Sequence, residues 1–394
     1  MGLPRGVWQI GWVSFFTDFA SEIIYPLLPL FLSRSLGAGA MSLGIIEGVA
    51  EASNSALKIA SGWLSDRWNR RKPIVVFGYT LSSSVRPLMA AAGAWWHVLG
   101  LRFVDRLGKG IRGAPRDAML AAIADHTNRG RIFGFHRGMD HAGAVAGPLA
   151  ASLFLFFYPG EYRTLFALTI IPGMIVVYLV ATLPRDADAQ VPSGASTVSE
   201  SIPGTPQLTP TLTKLLLIIF VFSLGNASDA FLLLRLGDRG VAPALIPLLW
   251  AALHVVKSAS SVYGGRLSDR FGRTALIAAG WVWYAIVYGG FAYFDSSTTL
   301  IPLFVAYGVY FGLTEGAEKA LVADLTPPHA RGMAFGLYNA VLGVGALAAS
   351  LLFGWIWTAA SPAIAFGTGA ALALVAAVLV VAAFGRRRWV SAML

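Results

Sequence analysis

Residues 62–71 read GWLSDRWNRR, and residues 265–273 read GRLSDRFGR. Each lies between apolar runs of about 20 residues, the length an α-helix needs to cross the hydrocarbon core of a bilayer. A short charged cluster at that place fits a turn between two membrane helices. Its recurrence makes the chain two related halves, an arrangement known among transporters. Two further pairs keep the same order. Ala20-Ser21-Glu22 matches Ala227-Ser228-Asp229, and Arg129-Gly130 with Phe133-Gly134 matches Arg331-Gly332 with Phe335-Gly336.

The composition agrees with that reading. Of 394 residues, 56% are hydrophobic and 13% charged, whereas a soluble domain carries roughly 25% charged residues. Hydropathy predicts spans over 8–32, 41–64, 73–94, 97–124, 132–157, 164–183, 212–236, 242–264, 274–294, 299–325, 331–357 and 361–384. The expected fold is an all-α membrane protein with twelve transmembrane helices in two pseudo-symmetric six-helix bundles. Runs of this length exclude an outer-membrane barrel, whose strands alternate over about ten residues. The first span is too long for a signal peptide and holds Asp18 and Glu22. Residues 184–210, PRDADAQVPSGASTVSESIPGTPQLTP, read as a flexible linker. The expected division is a bundle over 1–185, a cytoplasmic linker over 186–211 and a bundle over 212–394.

With no cysteine, disulfides and zinc–cysteine sites are excluded. The net charge of +10 reads as membrane topology rather than nucleic-acid binding. A cytoplasmic N-terminus places Arg5, Arg67, Arg70, Arg71, Lys72, Arg129, Arg131, Arg185, Lys214, Arg270, Arg273, Arg331 and Arg386 to Arg388 inside. Only Arg34, Arg163 and Arg239 then lie outside. Both termini are expected in the cytoplasm, in a multi-pass protein of the cell membrane, the bacterial inner membrane.

The duplicated loop resembles the signature of the major facilitator superfamily, Gly-x-Leu-x-Asp-Arg-x-Gly-Arg-Arg, and the resemblance extends over essentially the whole chain. Gly62, Asp66, Arg67, Arg70 and Arg71 fit it in the first half, with Asn69 where Gly is usual. Gly265, Asp269, Arg270, Gly272 and Arg273 fit it in the second. The resemblance implies that family's fold, a rocker-switch transporter with one central site. It also implies that these Asp and Arg residues latch the cytoplasmic side. The plainer reading is that they anchor helix ends at the interface. Span four is similar to the family's fourth-helix motif, Arg-x-x-x-Gly-x-Gly, at Arg106 and Gly110. Arg112 stands where a small residue is usual, and Arg116 follows a turn later.

Charges within the spans are costly in lipid and should face a cavity or one another. Spans six, nine and twelve carry none in their cores, and span three only Arg86. Residues three or four apart share a helix face, which groups Asp18 with Glu22, and Glu47, Glu51 and Asn54 with Lys58. Span four presents Arg102, Arg106, Lys109, Arg112 and Arg116, with Asp105 and Asp117 beside them. Burial favours the neutral form of a carboxyl group, so a buried carboxylate can carry a proton. The proton-coupling candidates are Asp18, Glu22, Asp229, Glu315 and Glu318, with His141 and His254 as possible shuttles. Guanidinium forks suit carboxylate or phosphate ligands. The substrate-binding candidates are Lys58, Arg86, Arg106, Arg112, Arg116, Asp140, His254, Lys257, Lys319, Tyr338 and Asn339. The competing reading is that these charges only neutralise one another within the bundles.

Gly143, Gly147 and Pro148 in span five, with Gly138, look like the antiporter signature of the superfamily's exporters, though Ala151 replaces its last Gly. The same residues also serve plain helix packing. The expected protein is a monomeric, proton-coupled exporter of a small polar, anionic or zwitterionic molecule such as a drug or metabolite. Uptake of an organic acid or metal–siderophore chelate is the alternative. A passive facilitator and a non-transporting sensor stand further off. The partners are then a small-molecule substrate, protons and lipid, with no nucleic acid. No cofactor, metal site or enzymatic constellation is expected. Gly108-Lys109-Gly110 is not a phosphate loop, because no strand precedes it and the Ser or Thr is missing.

Overall fold

A computed structural model describes residues 4–68, 71–123, 129–183, 209–327 and 330–385. Side chains at 58–68, 71, 114, 118, 121–123, 129–131, 133–134, 262, 265–266, 269 and 331–332 lie outside that description. The described residues form twelve helical spans. In chain order they are α1 (Arg5–Ser35), α2 (Ala40–Trp68), α3 (Arg71–Val85, continued by a tighter turn at Arg86–Ala91) and α4 (Trp95–Ile123). Then come α5 (Arg129–Phe157), α6 (Tyr162–Ala181), α7 (Pro210–Asp238) and α8 (Leu245–Phe271). The last four are α9 (Arg273–Tyr293), α10 (Ser297–Asp324), α11 (Arg331–Ala359) and α12 (Pro362–Phe384).

At 1.5 Å per residue, each is long enough to cross a bilayer. Nine are also apolar enough by composition among the described residues. The other three are α2, with Glu47 and Glu51, α4, with its stripe of cations, and α8, with His254 and Lys257. Large apolar side chains stand exposed on α6 and α12, among them Ile170, Met174, Tyr178, Val375 and Val378. Such a surface suits lipid and not water.

Proline shapes several spans. Pro26 and Pro29 interrupt α1, which narrows to a tight turn at Tyr25–Leu27 and widens at Phe31–Ser35. Where α8 passes into α9, Gly272 adopts φ 86°, a conformation that glycine takes without strain. This is the physical reason for a glycine in the second copy of the loop signature. Asn69, its counterpart, lies outside the described residues, as does nearly all of the expected linker.

The described residues cluster into two units. The first lies within Met1–Ala38, Val49–Glu200 and Ala242–Ala251, the second within Gly39–Gly48, Ser201–Val241 and Ala252–Leu394. In the first, Val7, Ile10 and Val13 of α1 pack with Val75 and Tyr79 of α3, Met119 and Leu120 of α4, and Val176 and Val180 of α6. The core of the second is aromatic. Phe222 stacks on Trp281 at 4.7 Å, Tyr284 on Tyr288 at 4.0 Å, and Tyr307 on Tyr310 at 5.6 Å.

Candidate functional site

Close helix packing sets the first unit's site. Gly78 of α3 and Gly108 of α4 face one another so tightly that a Cβ on either would lie 2.7–2.8 Å from the other's carbonyl oxygen. On the neighbouring face, a Cβ at Gly110 would meet Leu57 of α2 at 2.5 Å. Small residues therefore bring the backbone of α4 against two neighbours, while Lys109, between the two glycines, lines a cavity of about 470 Å³. From α4 come also Arg112, Gly113, Arg116 and Asp117; α1 contributes Ser14, Thr17 and Asp18. Tyr79 of α3 and Arg137 and Asp140 of α5 complete the lining.

Most of these charges have partners. Arg116 donates from Nε and Nη2 to Asp117 Oδ1 at 2.9 and 2.8 Å. Arg112 donates to Ser82 Oγ at 2.6 Å and lies 4.4 Å over the Tyr79 ring. Asp140 has His136 at 3.5 Å and Arg137 at 3.7 Å, and His136 in turn bonds Ser14 at 2.8 Å. Asp18 and Lys109 lie within reach of each other's charge. Among the described residues, no hydrogen bond or direct ion pair reaches either side-chain charge.

The remaining candidates of this unit lie away from the cavity lining. Arg86 is buried, donates from Nε to Asp105 Oδ1 at 3.0 Å, and donates from Nη1 to the Thr17 carbonyl at 2.9 Å. Arg106 pairs with Glu51 at 3.5 Å, and Arg102 stands 5.3 Å over the Tyr25 ring. Glu22 accepts a hydrogen bond from Trp250 Nε1 at 2.7 Å. A Cβ added at Gly143 or Gly147 would collide with the carbonyl oxygen of Phe15 or Phe19, so these glycines let α5 lie directly on α1. Pro148 sits inside the same helix. Lys58 belongs to the side chains not described.

In the second unit the carboxylates meet aromatic donors. Helix α7 breaks after Gly225 and resumes at Ala230, with Asp229 at the restart. Asp229 Oδ1 accepts from Tyr307 at 2.8 Å, and Lys257 and His254 act on its charge. Lys257 also lies 3.8 Å over the Phe311 ring. Glu318 is 6% exposed. One of its oxygens accepts from Trp281 Nε1 at 3.1 Å and the other from Tyr338 at 2.9 Å. Glu315 and Lys319 instead pair with one another at 3.0 Å, half exposed. Asn339 donates to the Phe335 carbonyl of its own helix.

Of the expected latch, Gly62, Asp66, Arg67, Arg70, Arg71 and Asp269 fall among the positions outside the description. Arg270 rests over Phe271. Arg273, at the start of α9, pairs with Asp324 at the end of α10 and donates to the Ala320 carbonyl.

The family profile of the Major Facilitator Superfamily matches residues 10–247 and 215–391, which together cover nearly the whole chain. The chain belongs to the Major Facilitator Superfamily. It is therefore a multi-pass membrane transporter and not an enzyme. An uncharacterized transporter of this superfamily from Methanocaldococcus jannaschii is 32% identical over 386 residues, 96% of this chain and 94% of the relative. The multidrug resistance protein MdtH of Salmonella arizonae is 23% identical over 338 residues, 85% of this chain and 82% of its own. Among solved structures, the nucleoside transporter NupG aligns with a TM-score of 0.77 at 15% identity, covering 97% of this chain and 99% of its own. That likeness is one of fold. The twelve described helices are those of the superfamily.

Sequence reasoning within this superfamily frame passes over several residues of the site. Lys109 is visible as part of the α4 stripe, but its position between two packing glycines is what directs it to the cavity. Tyr79 carries little signal beyond its residue type, whereas Arg137 is legible as a charge three residues before Asp140 on span five. The aromatic donors have a faint one: Tyr307 and Tyr310 are spaced three apart on α10, and Tyr284 and Tyr288 four apart on α9.

Proposed function

We propose that the protein is a proton-coupled secondary transporter that moves a small polar, anionic or zwitterionic molecule out of the cytoplasm by alternating access. The observation that carries this reading is the charged cavity of the first unit, built by α1, α3, α4 and α5 within otherwise apolar spans. Charges in such a place are costly, and an apolar cargo would not need them. Arg112 lines it as a substrate contact, while Arg116 and Asp140, engaged by Asp117 and by His136 and Arg137, set the charge around the substrate. Arg86 and Arg106 act one step behind, since Asp105 and Glu51 already engage them.

Protons are assigned to the carboxylates of the second unit held by neutral donors, Glu318 first and then Asp229. A buried carboxylate whose bonded partners are uncharged gains less from being ionised than one beside an arginine. Asp18 faces the substrate and couples the two events. Export draws support from the apposition of Gly143 and Gly147 with α1, and from the name of the MdtH relative. Loop charge supports cytoplasmic termini in a bacterial inner membrane. The duplicated signature supports bundles over 1–185 and 212–394, acting as a monomer and latched by Asp66, Arg67, Asp269, Arg270 and their neighbours.

Flux in oriented proteoliposomes under an imposed pH gradient tests the proposal. Substrate moving against the proton supports antiport. Substrate moving inward with protons favours uptake of an organic acid, the reading to which the basic α4 face would also lend itself.

A further inference from the structure

We propose that the cavity between α1 and α4 is a site for zwitterions, in which Asp18 receives a ligand's ammonium group and Lys109, beside Arg112, receives its carboxylate. This names the substrate class for the transport reading above and rests on it only for what happens to the ligand after binding.

The cavity's charges leave two poles open. Among the described residues its lining holds four cations, Lys109, Arg112, Arg116 and Arg137, and three carboxylates, Asp18, Asp117 and Asp140. Arg116 is taken by Asp117 and Arg137 by Asp140. Arg112 is held by Ser82 and the Tyr79 ring. Asp18 and Lys109 remain, on different helices and of opposite sign, each within the other's field and neither bonded among the described residues. A pair that existed only for neutralisation would close into a direct ion pair, because a lysine side chain is long and flexible. Here both line the cavity, and among the described residues no direct ion pair joins them.

Ligands with one charge fit the cavity poorly. A simple anion would satisfy Lys109 and bring negative charge towards Asp18. A simple cation would satisfy Asp18 and crowd Lys109 and Arg112. A molecule with an amine at one end and an acid at the other completes both poles with no change in net charge. An independent observation also points to a ligand. Tyr79 lines the cavity, is 1% exposed, and among the described residues its hydroxyl has no hydrogen-bond partner. Buried polar groups are rarely left so unless something binds them. The volume of about 470 Å³ lies within the usual range for small-molecule sites, roughly 300–1,000 Å³.

Calorimetric titration of the full chain in detergent tests the proposal without requiring transport. The probes are 4-aminobutanoate, 6-aminohexanoate and 8-aminooctanoate, with hexylamine and hexanoate as single-charge analogues. At least one amino acid of the series should bind about tenfold or more tightly than both analogues, the scale of one hydrogen bond to a charged group. Asp18→Asn should lower its affinity, raise that of hexanoate, and so abolish the preference between them. Lys109→Gln should lower the amino acid's affinity to that of hexylamine. Equal or tighter binding of hexanoate or hexylamine overturns the proposal, and so does no binding by any amino acid of the series. The probe comparison uses the unaltered protein, so it holds even where a variant fails to fold. Zwitterion binding without flux in proteoliposomes would refute the transport reading and leave the site standing. Flux of an anion with no preference for zwitterions would do the reverse.

Discussion

Helices α4 and α10 hold the fourth place in their respective halves, and they carry opposite chemistry. The polar stripe of α4 is Arg102, Arg106, Lys109, Arg112 and Arg116, whereas α10 presents Tyr307, Tyr310 and Glu318. In the first unit, the buried Arg86 is balanced by the opposite charge of Asp105. In the second, buried carboxylates are held by neutral donors, as in Glu318 with Trp281 and Tyr338. Duplication has kept the helices and the turn signature but not the means of accommodating a polar group in lipid. The two solutions have different consequences. A matched ion pair stays ionised, while a carboxylate among phenol and indole donors can exchange its proton without stranding a counter-charge.

Removing one member of the buried pair should have the largest effect. Asp105→Ala leaves the Arg86 guanidinium without its carboxylate and should destabilise the protein by about 3–5 kcal/mol, seen as a large fall in thermal unfolding temperature. The corresponding change in the second unit, Glu318→Gln, keeps the shape but gives the site an amide nitrogen that cannot accept from a donor. It should cost about 1–3 kcal/mol in the same assay and remove pH-gradient-driven accumulation. Gly143→Ala tests the packing that both readings of α5 assume. A methyl group against the Phe15 carbonyl should cost about 1–3 kcal/mol and slow transport, while Gly138→Ala, where nothing stands within 4 Å, should do neither. A smaller effect than at Gly143 is expected for Glu315→Gln. Its half-exposed pair with Lys319, one turn along the same helix, should contribute under about 1 kcal/mol to the unfolding free energy.

The helices were legible because membrane spans are written in length and composition. Expected and observed boundaries agree within a few residues for most spans. They differ where local chemistry intervenes: α8 begins at Leu245 rather than at 242, after the turn at Gly240 (φ 81°) and Pro243. The candidate site was legible only in part. The spacing rule found the α4 stripe, and charge within a span singled out Asp18 and Asp140. Neither could tell Arg86, deep in an ion pair, from Lys109, open to the cavity, because in sequence each is one cation within a span. That distinction depends on which glycines let two backbones touch. Nor could spacing foresee that Glu318 and Glu315, three residues apart on one helix, would have unlike surroundings: one in an aromatic cage, the other half exposed beside Lys319.

The proposed division of labour puts cargo in the charged cavity of the first unit and the proton on the caged carboxylates of the second. It is tested by two readings on the Glu318→Gln protein: calorimetric binding of whichever amino acid of the probe series binds the unaltered protein most tightly, and its accumulation in proteoliposomes driven by a pH gradient. Unchanged binding with lost accumulation is the expected result. Accumulation at the level of the unaltered protein would contradict the division.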